Sequence, residues 1–109
     1  MSKRPTVAER QRPRPGDLCL DHVSHFVPDL DAAAGVLAAL GFAVTPISVQ
    51  RTREGPAGSS NRCVMLREGY VEVLAPTHDT PTARRMRAAI ERHVGVHLVC
   101  FGTPSAQAT

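Results

Sequence analysis

The stretch GYVEVLAP, Gly69 to Pro76, limits the possible folds more than any other part of the chain. Successive side chains of a strand point to opposite sides, so Val71, Val73 and Ala75 line one face and Tyr70, Glu72 and Leu74 the other. A half-exposed strand alternates apolar with polar residues, whereas here only Glu72 interrupts the apolar pattern. A carboxylate buried without a partner is costly or takes up a proton. Glu72 therefore requires a cation, a hydrogen-bond donor or an opening to water. From the strand alone, a glutamate leaning out from a sheet edge or facing a wet groove is the plainer account.

With 109 residues the chain makes at most one small domain with a modest core. No apolar run approaches the roughly 20 residues of a membrane-spanning helix, and no apolar segment of signal-peptide type opens the sequence. The expected protein is soluble and cytoplasmic, without a membrane partner. Cys19, Cys63 and Cys100 are odd in number and widely spaced, so they read as small buried apolar residues rather than a disulfide framework. The formal charge of +3 is unevenly placed: Lys3, Arg4, Arg10, Arg12 and Arg14 against Glu9 give residues 1–16 a charge of +4 and leave −1 for the rest. That Pro- and Arg-rich stretch has almost nothing to bury and is expected to be a disordered basic tail. No aromatic residue interleaves its arginines, which argues against nucleic acid as a partner.

Beyond Gly16 the elements are clearly punctuated. Leu18 to Val27 reads as a strand ended by Pro28. Asp29 stands at a helix N-cap, Leu30, Ala33, Ala34, Leu37 and Leu40 follow at helical spacing, and Gly41 stops the helix. Ala43 to Gln50 has strand character despite Pro46, and Arg51 to Ser60 reads as a loop. Asn61 to Arg67 and Tyr70 to Ala75 form a hairpin about Glu68-Gly69. Thr80-Pro81 opens a second helix, through about His93, with Ala83, Met86 and Ile90 as its apolar stripe and its arginines on the wet face. Val96 to Phe101 is a last strand. The order is β-α-β-β-β, then α-β.

His22 and His25 are three apart on one strand and so face opposite sides. His22 goes with Leu20, Ser24 and Phe26, and a lone histidine in that setting is more often a hydrogen-bonded structural residue than a ligand.

LDHVSHFVPDLDAAAGVLAALGF, followed by SSNRCVMLREGYVEVLAP, resembles the first half of a glyoxalase-like protein of the vicinal oxygen chelate superfamily. The resemblance covers residues 18 to 76 and implies an α+β fold: a βαβββ module over 17–76, then a linker helix and the truncated start of a second module over 77–109. It implies that His22, by its place in LDHV, and Glu72, by its place in YVEVL, are ligands of one divalent metal, with Glu72 also catalytic. The cation and the groove's water would then account for the carboxylate. Imidazole and carboxylate suit zinc, nickel, iron or manganese in a site with open positions. Such a metal chelates two adjacent substrate oxygens as a Lewis acid, a step shared by isomerases, dioxygenases, epimerases and transferases.

By the same resemblance Asn61 and Arg62 are substrate-binding candidates. A strand-entry turn capped by Asn with an exposed Arg is the plainer alternative. GVHLVCFGTP resembles the first strand of a second module, with His97 as a further ligand candidate, yet aligning Pro104 with Pro28 sets Leu98, not His97, opposite His22. The ligand set is then completed by a twofold homodimer or by a missing second module, and the last strand is left unpaired in a monomer. Two functional classes stay open: a metal-dependent enzyme, or part of one, acting on a small oxygenated metabolite, and a metal-free protein that sequesters small molecules.

Overall fold

The computed structural model describes residues 14–104. Most of the basic stretch expected over 1–16 lies outside the described residues. Within them, β1 (Cys19–Phe26) leads to α1 (Leu30–Ala39), then β2 (Ser48–Thr52), β3 (Gly55–Met65), β4 (Tyr70–Pro76), α2 (Pro81–Arg92) and β5 (Gly95–Gly102). The five strands form one sheet in the order β2-β3-β4-β1-β5. This is the mixed α+β arrangement expected, a βαβββ unit followed by a helix and a strand.

Local chemistry sets both helices. The Asp29 carboxylate accepts from the backbone N–H groups of Asp31 at 2.9 Å and Ala32 at 3.1 Å, capping α1. Its far end closes with the Gly41 N–H on the Ala38 carbonyl and the Phe42 N–H on that of Leu37. The closure depends on Gly41, whose φ is +96°. Thr80 caps α2 by accepting from the Ala83 N–H at 3.1 Å, while its hydroxyl donates to the Ala57 carbonyl at 2.9 Å and ties the helix to β3. Ala83, Met86 and Ala89 form the buried stripe of α2, and Arg84, Arg85, Arg87 and Arg92 are exposed. Val73 and Ala75 of β4 pack with Val27, Leu30, Ala33 and Leu37, so α1 covers that face of the sheet.

Five expectations are corrected. Arg51 to Ser60 is not a loop: β2 and β3 turn tightly at Arg53-Glu54, with Thr52 paired to Gly55 and Arg51 to Pro56. Pro56 is tolerated there because β4 begins to pair with β3 only at Ser59, leaving one side of the strand's start free. Ala43 to Gln50 is not one strand either, since Val44 makes a single bridge to Val64 and regular pairing resumes at Ser48, past Pro46. The β3–β4 connection runs over Leu66 to Gly69, with Met65 opposite Tyr70, rather than over Glu68-Gly69 alone. Finally, the last strand is paired within the chain, because β5 runs antiparallel to β1 along its length. The three cysteines are free thiols and half-buried rather than buried.

Candidate functional site

The sheet's central pair, β1 and β4, is parallel, with His22 beside Tyr70 and Ser24 beside Glu72. Side chains of residues paired in this way share a face. On the other side of β4, Glu72 pairs with Cys63 of β3, and beyond β1, His22 pairs with Cys100 of β5. His22, Ser24, Tyr70, Glu72 and Cys63 thus lie on the face opposite Val73, away from α1.

The Glu72 side chain is 9% exposed. Ser24, fully buried, donates its hydroxyl to Oε1 at 2.6 Å, and Asn61 donates its amide to Oε2 at 2.7 Å. His22 Nε2 stands 3.6 Å from the same Oε1. On its other side, His22 Nδ1 lies 2.8 Å from Asp21 Oδ2. The Tyr70 ring lies flat against the imidazole, centroids 4.4 Å apart and planes 9° from parallel. Burial and the Glu72 charge push the Cys63 thiol above its ordinary range, opposed by a hydrogen bond with Thr45. Burial, then the charges of Asp21 and Glu72 and the nearby Cys63 and Cys100, push the Tyr70 phenol up as well.

The structure brings His22, Glu72 and Asn61 together. Arg62, next to Asn61 on a strand, points to the other face, where Nε donates to the Thr45 carbonyl at 2.9 Å and Nη1 meets Asp31 at 3.3 Å. His97 is not gathered with the pair either. Its Nε2 lies 2.9 Å from the His93 carbonyl and its ring stacks between those of His93 and Phe26, at a shift in the β1–β5 register. Among the described residues, no group of three or more His, Cys, Asp and Glu side chains is placed to hold a metal ion.

The spacing of His22 and Glu72 alone would suit two donors to one cation. Two donors each about 2.1 Å from a tetrahedral ion stand roughly 3.4 Å apart, close to the 3.6 Å seen here.

Two participants escaped sequence reasoning. Ser24 was detectable, as the polar residue on His22's face. Asp21 was not, because alternation assigns it to His25's side while its carboxylate bends back to the neighbouring ring.

No helix among the described residues is long and apolar enough to cross a membrane. No curated protein matches the sequence significantly. Among solved structures, a Streptomyces coelicolor methylmalonyl-CoA epimerase variant bound to 2-nitronate-propionyl-CoA is 26% identical at a TM-score of 0.63, covering 84% of this chain and 65% of its own. A methylmalonyl-CoA epimerase bound to methylmalonyl-CoA and NH4+ is also 26% identical, with a TM-score of 0.62, covering 83% of this chain and 63% of its own. A hypothetical protein from Bacillus halodurans C-125 shares the fold at 19% identity and a TM-score of 0.61, over 84% of this chain and 63% of its own. The chain thus spans slightly under two thirds of the length of these relatives. A glyoxalase-like domain model matches residues 20–109, and the chain belongs to that family, within the vicinal oxygen chelate superfamily.

Proposed function

We propose that this chain is a metal-dependent enzyme module, or part of one, in which His22 and Glu72 hold a divalent ion for a small oxygenated metabolite. The observation that carries this reading is the 3.6 Å approach of His22 Nε2 to Glu72 Oε1 on a shared face. When bound, the ion would supply Lewis-acid polarisation of two adjacent substrate oxygens. The protein's own part is orientation: Asn61 and Ser24 hold the Glu72 carboxylate by its two oxygens, and Tyr70 braces the imidazole. The relatives solved with methylmalonyl-CoA and its nitronate analogue make an acyl thioester bearing a carboxylate the substrate class to test first.

Residues 17–76 form the glyoxalase-like module in this reading, and 77–109 open a second one. The remaining ligands come from that second module or from a second copy of the chain. Val96, Leu98, Val99 and Phe101 support this, since they leave the edge strand β5 apolar and exposed.

The rival reading, metal-free sequestration of a small molecule, is favoured by one observation: Ser24 and Asn61 already satisfy both oxygens of Glu72. Metal content after chelator-free purification, measured for wild type, His22→Ala and Glu72→Ala, separates the two. Stoichiometric metal lost in both variants supports the enzyme. Metal-free wild type that still binds small ligands supports sequestration. Solution mass tests the assembly, and a monomer whose wild-type metal is stoichiometric would rule out the need for a second copy.

A further inference from the structure

The geometry points to Asp21 as the positioning residue of the site: it selects the Nδ1–H form of His22 and so presents a bare Nε2 to Glu72. The inference rests on the metal-binding reading above, but its first test does not. Neutral imidazole carries one proton on either nitrogen, and the partner of one nitrogen decides what the other offers. Here Asp21 Oδ2 lies 2.8 Å from Nδ1, within the range of a charge-assisted hydrogen bond. Nε2 and Glu72 Oε1, at 3.6 Å, are too far apart for a good hydrogen bond to compete for the proton.

Two further contacts fix the arrangement. Tyr70 lies parallel to the imidazole and opposes tilting of the ring. Gly69 lies directly against the Asp21 backbone carbonyl, where a Cβ would intrude, so the β3–β4 turn holds this residue in place. A carboxylate behind a ligating histidine both orients the ring and raises its basicity, and its loss weakens metal binding by about 10- to 100-fold.

The first test is the tautomer of His22 in metal-free protein at pH 8, read from 15N shifts and long-range proton couplings. Wild type is expected to show Nδ1–H, and Asp21→Ala a shift toward Nε2–H. Nε2–H in wild type, or an unchanged tautomer in a folded Asp21→Ala protein, overturns the inference. The second test is titration with Co2+ followed by the visible spectrum. Asp21→Ala should bind about 10- to 100-fold more weakly, with Asp21→Asn in between, and equal affinity in all three overturns the effect on metal binding. Wild type that takes up no Co2+ but shows the Nδ1–H tautomer would sink the metal-binding reading, and with it Asp21's effect on affinity, while the tautomer assignment stands.

Discussion

Ser24 and Glu72 face each other across the parallel pair β1 and β4, and the serine hydroxyl donates to Glu72 Oε1 at 2.6 Å. Ser24 is wholly buried, out of reach of bulk solvent. Ser24→Ala should therefore lower stability by about 1–3 kcal/mol, seen as a lower urea midpoint at unchanged slope. An unchanged midpoint would mean that Glu72 does not depend on this donor. The double variant Ser24→Ala/Glu72→Gln should lose less than the sum of the single effects, because the two residues share one interaction.

Tyr70 is the sole tyrosine and the chain has no tryptophan, so its ultraviolet absorbance reports one site. Burial and the Asp21 and Glu72 charges hold the phenol above its ordinary value of 10.0. The absorbance step near 295 nm should come at higher pH than in the unfolded chain. Asp21→Asn and Glu72→Gln should each lower it, by removing a negative neighbour. A midpoint equal to that of free tyrosine would contradict the stacked, shielded position.

Cys63 lies directly opposite Glu72, and its thiol is held above the usual 9.0, by burial first and the Glu72 charge second. The folded protein therefore keeps protons on Cys63 and Tyr70 that the unfolded chain gives up. By linkage their contribution to stability is fully present below the unfolded values and is lost as pH rises through the folded ones. Urea midpoints should decline as the pH climbs from 8 upward, less steeply in Cys63→Ser. At fixed pH, iodoacetamide should modify Cys63 more slowly than a free thiol, and faster in Glu72→Gln.

Gly58 and Gly35 should respond to alanine in opposite ways. At Gly58 φ is +120° and a Cβ would collide with the Thr80 hydroxyl that caps α2, so Gly58→Ala should be destabilising. Gly35 sits within α1 with open space beside it, so Gly35→Ala should stabilise by roughly 0.5–1 kcal/mol. Thermal melts of the two variants check both signs.

Much of this architecture was legible in the chain because it is governed by local rules. Asp29, Gly41 and Thr80-Pro81 mark helix ends through side-chain caps and a left-handed turn, each decided within a few residues. The apolar run at Gly69 to Pro76 marks a strand with two apolar faces for the same kind of reason. The errors fell where pairing overrides local character. Gly55, Pro56 and Gly58 look like a loop, yet they join β3 because β2 runs alongside and α2 presses against Gly58.

The candidate site divides in the same way. Sequence alone determined that Glu72 needs a partner and that His22 and His25 look in opposite directions, since both follow from the two-residue period of a strand. Only the tertiary structure decided which partners Glu72 has, because the register between β1 and β4 is a long-range choice. That register sets Ser24 and His22 beside the carboxylate, while the β3–β4 pairing brings Asn61 to its other oxygen and leaves Arg62 on the far face with Asp31. The Asp21–His22 contact lies beyond any periodicity, for it depends on one side chain bending back along its own strand.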